Sequence, residues 1–307
     1  MTANQNTIQQ PTILQERPIA RPWSGPMTSR LPGLTPLDGA PWLMRDPAYN
    51  AQMALRDRLF AEAPETCLAA PEATLDLQRD LLQYVVTALS GDLGYGFGPR
   101  SAVRPDGVYV SLDDEAPLVS AARLVQADLM LLAPDDPGHT LVAGALAFPS
   151  SWSLREKMNR PLASIHAPVA RIDGPMQTRI DRVIGRLVPG QPLQRANMLA
   201  YNDPALHQPR TEAERKSFDA AKEIFIRVER QCLLRLPRSG AGVFSIQTSV
   251  TPLKELSSAD RTMLAPVIEA THRAAQGLAP DPERMAGPEQ MAGPERTAEP
   301  AVQAFAP

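Results

Sequence analysis

The spacing of apolar residues along the chain predicts helices that surround pairs of strands. Apolar positions recur every three or four residues over 47–62 and 71–89, which is the period of an amphipathic helix. Short apolar runs bounded by turn residues predict strands at 107–111, 127–133, 140–148, 193–201, 224–236 and 242–251. Further helices are predicted at 117–125, from 153 to a stop at Pro161, from Pro175 onward, and at 257–276.

Strand pairs that follow each other in sequence, with helices before, between and after them, favour an α+β fold over a doubly wound parallel sheet. Local signals support the element ends. Asp46 followed by Pro47 predicts a helix start, and Ser153 with Glu156 fits a capping box. Pro266 is expected to kink or divide the last helix.

Proline marks the limits of the folded part. The chain has 32 prolines in 307 residues, about a tenth and roughly twice the usual share. Residues 1–40 are Pro-rich without an apolar period, so they are predicted to be mostly disordered, with an extended arm on the domain around Trp23, Leu31, Leu34 and Leu37 as the alternative. Residues 279–307 carry two MAGPE repeats and are predicted to be a low-complexity tail. One domain, 41–278, remains between them.

Charge and composition exclude several classes of function. The 31 basic residues are balanced by 34 acidic ones, a net charge of −3, which argues against a broadly basic nucleic-acid binder. No run of about 18 apolar residues indicates a membrane span. The first ten residues lack the pattern of a secretory signal, and the two cysteines are expected to be reduced core residues. These features predict a cytoplasmic protein.

His166 is the histidine whose surroundings differ from those of the other three. It lies in the apolar segment 161–169, just after the predicted short helix that carries Trp152 and Lys157. A histidine in such a segment is more often a hydrogen-bonded core residue than a metal ligand. One neutral imidazole beside an apolar pocket is also what a haem iron requires, so both interpretations remain open.

Arg230 is unusual because strand alternation places it among apolar neighbours. Residues 227, 229, 231 and 233 share one face, whereas Val228, Arg230, Cys232 and Leu234 share the other. A guanidinium in that position requires an anionic partner, either a bound carboxylate such as a propionate or an Asp or Glu of the same chain.

Several blocks of the sequence resemble the haem-dependent oxidative N-demethylase family, also called the dimethylamine monooxygenase haem subunit family. The run FPSSWSLREKMNRPLASIHAPV (148–169) is similar to the family signature. NDPALHQP (202–209), RVERQCLLRLPRSGAGVFSIQT (227–248) and Pro252-Leu253 follow in the same order, and PWLMRDPAY (41–49) precedes them. The resemblance covers roughly residues 41–260.

The resemblance implies a PAS-like α+β domain that holds a non-covalent b-type haem. It implies an enzyme that uses O2 and NAD(P)H to remove a methyl group from a small N-methylated amine and releases formaldehyde. The electrons would come from a separate reductase with FMN and an iron–sulfur cluster, because this chain has no sequence room for those modules. No catalytic residue is assigned.

Four residues are carried over as the haem site. His166 is the expected axial ligand of the iron, Arg230 and Lys157 are candidates for propionate contacts, and Trp152 is a candidate for the haem edge. Tyr201, Gln231 and Thr248 are further conceivable polar groups of the pocket. Two positions depart from the family pattern, since Ala127 replaces an expected acidic residue and Met198 an expected aromatic one.

Two rival interpretations come from other classes. PAS-like folds commonly bind ligands without chemistry, so a haem-based gas or redox sensor is one alternative. A structural subunit that has lost haem is the other, and it would leave His166 as core packing.

Overall fold

A computed structural model of the chain describes residues 9–24, 33–112, 115–135, 138–166, 174–211, 214 and 217–278. The predicted low-complexity tail lies outside the described residues, as do positions 167–169 of the signature run. The helices are α1 Tyr49–Glu62, α2 Pro64–Cys67, α3 Leu75–Leu89, α4 Pro117–Leu124, α5 Leu154–Lys157, α6 Leu162–His166, α7 Gly174–Gly185 and α8 Ser258–Ala275. The strands are β1 Thr35–Pro36, β2 Leu68–Ala69, β3 Gly96–Gly98, β4 Ser101–Val103, β5 Tyr109–Ser111, β6 Asp128–Asp135, β7 Gly138–Ala145, β8 Leu193–Tyr201, β9 Phe225–Arg235 and β10 Gly242–Pro252.

Helices and an antiparallel sheet together confirm the predicted α+β class. The main sheet has the order β1-β8-β9-β10-β6-β7-β2, and its neighbouring strands all pair antiparallel. Its five long strands are the hairpin β6–β7, strand β8 and the hairpin β9–β10. A second sheet, β3-β4-β5, adjoins α4. Of its strands the sequence pattern predicts only the last.

The two faces of the main sheet carry different apolar clusters, as strand alternation requires. Leu129 and Leu131 of β6 belong to the larger cluster, which lies under α1, α3 and α4. Met130 and Leu132 point to the other face and belong to a smaller cluster with residues of α5, α6 and α7. The sheet is therefore covered on both sides, and each face can serve a different purpose.

Three local expectations about helix ends and breaks can be compared with the structure. Ser153 does occupy the N-cap of α5, but its side chain makes no capping hydrogen bond, so the capping box does not form. Asp46 accepts a hydrogen bond from the amide of Ala48 at 2.8 Å, yet α1 begins only at Tyr49. Pro266 lies inside α8 without dividing it, and the expected kink stays a prediction. No helix within the described residues has an apolar stretch of the length needed to cross a bilayer.

The Pro-rich N-terminal segment lies against the domain over residues 9–24, which we call the N-terminal arm. The amide of Gln15 donates to the carbonyl of Val250 at 2.9 Å, and its side-chain oxygen accepts from the amide of Val250 at 2.8 Å. The arm thus adds to the part of β10 that β6 does not reach. Ile13 and Trp23 are buried. Residues 9–24 therefore lie on the domain as an arm, which is the alternative to disorder that the sequence leaves open around Trp23.

Candidate functional site

One face of the main sheet combines an apolar surface with the helix that ends at His166. We call this surface the apolar floor. Its buried members come from the sheet and the residue after β7, from α5 and α6, and from α7 and the turn that follows it. They are Met130, Leu132, Leu141, Leu146, Leu154, Leu162, Ile184, Leu187, Leu233 and Ile246. Because all of them are aliphatic or thioether side chains, the floor offers no hydrogen-bonding group of its own.

Helices α5 and α6 pack closely against the apolar floor. Gly144 of β7 lies beneath α5, and a Cβ at that position would come within 2.9 Å of Cδ1 of Leu154. The absence of a side chain therefore lets the helix approach the strand. Leu162 is buried in the floor and Ile165 packs against it, which brings the backbone of His166 to its border.

Trp152 and Lys157 lie on this same side of the sheet. Trp152 packs against the apolar floor. Lys157 is buried, and its Nζ lies 3.5 Å from the carbonyl oxygen of Ile165, the residue before His166. Trp152 and Lys157 therefore lie beside α6, the helix that carries His166.

A row of charged side chains continues the face beyond the apolar floor. The charged row consists of Arg195 on β8 with Glu229 and Arg227 on β9. In the strand register Arg195 pairs with Gln231 and Leu193 with Leu233, so the row and the floor share one face. Both Arg227 and Glu229 are buried, with 1% and 5% exposure.

The members of the charged row differ in how well they are paired. Arg227 donates to the carbonyls of Leu206 and Phe148 at 2.9 and 2.6 Å, and its Nε lies 3.5 Å from Oε1 of Glu229. Oε2 of Glu229 accepts from Gln231 at 3.1 Å. Glu229 is therefore engaged on both of its oxygens.

Arg195 is the least satisfied member. Within the part of the chain that the structure describes, its guanidinium forms no hydrogen bond, and the Glu229 carboxylate is the group that acts on it electrostatically. Burial lowers the pKa of Arg195, and Glu229 opposes that shift. A half-buried cation without a bonded acceptor favours the approach of an anion.

Thr248 adds an unsatisfied hydroxyl to this region. It is cross-strand neighbour to Glu229 and lies two residues beyond Ile246 of the floor, hence on the same face. Its side chain is buried, and Oγ1 has no hydrogen-bond partner among the described residues. Tyr201, in contrast, bonds Ser150 and Ser151 at 2.9 and 3.1 Å. Of the three polar groups suggested by the sequence, Gln231 and Thr248 border the floor.

Arg230 lies on the opposite face of the sheet from Trp152 and Lys157. Its Nη1 and Nη2 donate to the carbonyls of Trp42 and Pro41 at 2.8 and 2.9 Å, and its Nε donates to the amide oxygen of Gln194 at 3.1 Å. Alternation correctly predicts its apolar neighbours, but its described acceptors are neutral oxygens and not a carboxylate. Its bonds give it the role of fastening residues 41–42 to the sheet, and a propionate contact stays a prediction.

The two departures from the family pattern also lie on the face away from the floor. Ala127 is part of the larger cluster under α1, α3 and α4. Met198 packs against a third cluster that includes Trp23 and Val228. Neither side chain borders the charged row, so their replacement leaves that surface unchanged.

His207 is a second imidazole whose hydrogen bonding is defined. Its Nδ1 lies 2.7 Å from the carbonyl oxygen of Ala147, which makes Nδ1 the protonated nitrogen and leaves Nε2 as an acceptor. Burial lowers the pKa of His207, so the ring is neutral near pH 7. It occupies the block 202–209, where the amide and carbonyl of His207 bond the side chain of Gln10 in the arm.

The fold and the site together define an α+β domain with an apolar sheet face, a helix that ends at a histidine and a bordering row of charge. The model of the family described as haem-dependent oxidative N-demethylase, alpha subunit-like, matches residues 33–278. The chain therefore belongs to this family, which confirms the resemblance found in the sequence. The N-terminal arm lies before the matched region.

The residues of this face fit a haem. A porphyrin is an apolar disc with two carboxylates, and it requires an apolar surface, a cation for the carboxylates and one axial ligand. The floor itself is covered by α5, α6 and α7, so the half-buried apolar side chains at its border, such as Trp152, Leu193 and Phe244, supply the first. The under-bonded guanidinium of Arg195 supplies the second. Arg195 was missed as a site residue in the sequence, although its position two residues after Leu193 on a strand could have indicated it.

Proposed function

We propose that the chain is the haem-carrying subunit of an enzyme that removes a methyl group oxidatively from a small N-methylated amine. The observation that carries the proposal is the apolar floor with α6 beside it, in a chain of this family. The five long strands and their flanking helices would then be a PAS-like domain. The haem would be b-type and non-covalent, and formaldehyde would be the second product.

When bound, the haem supplies O2 activation, and the residues of the chain supply its environment. His166 is the proposed axial ligand. Leu162 and Ile165 anchor α6 to the floor and so fix the helix end from which that ligand comes. The aliphatic side chains of the floor exclude water from the face they cover, and Trp152 extends this apolar contact.

A partner must deliver the electrons. We propose a separate reductase that takes them from NAD(P)H through FMN and an iron–sulfur cluster. This agrees with a family described as subunit-like.

An absorption spectrum of the purified protein tests the haem proposal. Protein expressed with ample haem is expected to show a Soret band, which shifts when the reduced protein binds CO. His166→Ala should abolish the band or make it depend on added imidazole. His207→Ala is the comparison variant, because the bond from Nδ1 of His207 to a backbone carbonyl leaves its Nε2 able to bind a metal; with His166 as the ligand this variant should keep the wild-type spectrum. Loss of the band only in the His207 variant would reassign the ligand.

Turnover tests the reaction itself. With a reductase, NAD(P)H and dimethylamine, the holoprotein should release formaldehyde in amounts equal to the NAD(P)H consumed. Purification without haem under ample supply would overturn the proposal. Bound haem with ligand-dependent partner binding and no formaldehyde would favour the sensor.

A further inference from the structure

We infer that Arg195, and not Arg230, binds a carboxylate of the bound group and thereby sets the orientation of that group on the apolar floor. The inference rests on the proposed function, since the carboxylate belongs to a haem propionate. It concerns a residue that the sequence did not single out as part of the site.

Position is the first argument. Arg195 follows Leu193 on the same face of β8, and its cross-strand neighbour Gln231 precedes Leu233 of the floor by two residues. A flat apolar ligand against Leu193 and Phe244, the half-buried side chains at this border of the floor, would therefore lie beside Arg195. The guanidinium of Arg230 lies on the other side of the sheet, where the backbone of β9 separates it from the floor.

Bonding is the second argument. Each of the three nitrogens of the Arg230 guanidinium has an acceptor in residues 41–42 or Gln194. Arg227 is likewise held by two carbonyls and by Glu229. Within the described residues Arg195 has only the charge of Glu229 nearby and no hydrogen bond.

Charge balance is the third argument. The charged row holds two guanidinium groups and one carboxylate, so it carries one excess positive charge. Glu229 already neutralises Arg227 and bonds Gln231, which leaves the excess on Arg195. A row with this balance favours an anion and disfavours an ammonium group, so we place the amine substrate elsewhere on the face.

The test uses the holoprotein and measures the rate at which haem passes to an excess of haem-free globin. Arg195→Gln should release haem at least about 10-fold faster, because a hydrogen bond to a charged group is lost. Arg195→Lys keeps the charge and should recover part of that loss. Arg123→Gln is the matched control, since Arg123 is a half-buried arginine of α4 on the other side of the sheet, where it pairs with Asp57. It should release haem at the wild-type rate.

Haem dimethyl ester, which lacks the carboxylate charges, identifies the interacting group. The wild-type protein should release the ester at least about 10-fold faster than haem, whereas Arg195→Gln should release both at similar rates. If Arg195→Gln does not fold, the release of haem and of its ester can still be compared in the wild-type protein and in Arg195→Lys.

Equal release of haem and ester by the wild-type protein would overturn the inference, and so would undiminished discrimination in Arg195→Gln. Both results leave the proposed function intact, because haem is still bound. A wild-type protein that binds no haem would overturn the proposed function and the inference together.

Discussion

Trp23 donates its indole N–H to Oδ1 of Asp260 across 2.6 Å, and this bond joins the N-terminal arm to the first turn of α8. Arg21 pairs with the same carboxylate. Ser257 donates to Oδ2 at 2.7 Å and accepts the amide of Asp260 at 3.1 Å. A carboxylate at a helix start also suits the helix dipole. The arm is therefore fastened by a buried, fully bonded charge.

Trp23→Phe should loosen this attachment, because it keeps the aromatic packing and removes the donor. A hydrogen bond to a charged group contributes about 1.5–3 kcal/mol. We expect the lower end of that range, since Arg21 and Ser257 still bond Asp260. The free energy of unfolding from urea titrations measures the loss, and cleavage after Glu16 by a glutamate-specific protease measures exposure of the arm. Ser24→Ala, which removes an exposed hydroxyl, is the control. Unchanged stability and cleavage would show that the bond does not hold the arm.

Acid should release the arm. The pKa of Asp260 is lowered to about 2, chiefly by the hydrogen bond from Trp23 and further by the bonds from Arg21 and Ser257. Burial opposes this shift but is outweighed. The pKa of an aspartate in the unfolded chain is about 3.9. The carboxylate thus contributes stability above that pH, and the contribution is lost as the pH falls toward 2. The difference in unfolding free energy between wild type and Asp260→Asn should shrink over this interval, and a constant difference would contradict the assignment.

The hairpin β9–β10 was predictable from the sequence, whereas the contacts of the arm were not. Alternating residues and the turn at Arg238-Ser239-Gly240 determine the hairpin locally, and Gly240 takes φ +72° there. The arm has no such period. Its order comes from contacts with residues more than 200 positions away, as between Gln15 and Val250. A local pattern cannot contain that information.

The candidate site, too, could be predicted from the sequence only in part. Alternation indicated which face of β9 Arg230 occupies, and the family signature brought Trp152 and Lys157 to one side of the sheet. The partners of Arg230 could not be predicted, because the carbonyls of residues 41–42 reach it only through the tertiary fold. For the same reason Arg195 becomes recognisable only once its guanidinium is seen without an acceptor.

Both cysteines should be unreactive in the folded protein. Cys67 and Cys232 are 0% and 1% exposed. Burial raises the pKa of Cys67 to about 11 and also raises that of Cys232, so neither is a thiolate at pH 8. Iodoacetamide at pH 8 should therefore label neither in the native state and both in urea, as mass spectrometry can determine. Rapid native labelling of either residue would show that its surroundings open.

A buried ion pair should contribute most to the stability of the signature segment. Nη1 of Arg56 lies 2.7 Å from Oδ1 of Asp128, and both side chains are 1% exposed. Asp128 also accepts the amides of Ala147 and Phe148 at 2.7 and 3.1 Å, so it fixes the chain where the run 148–169 begins. Asp128→Asn leaves Arg56 buried and unpaired, and it should lower the free energy of unfolding by about 3–5 kcal/mol.

A double variant separates the ion pair from the backbone bonds. Replacing a simple buried ion pair with apolar residues is often neutral. Here Arg56→Met with Asp128→Leu still leaves the amides of Ala147 and Phe148 unbonded, at about 1–3 kcal/mol for each. The double variant should therefore remain well below wild type in urea titrations, whereas Asp76→Asn, which breaks an exposed pair with Arg79, should cause no measurable change. Wild-type stability of the double variant would mean that Asp128 acts through its charge alone, and that another contact fixes the start of the signature segment.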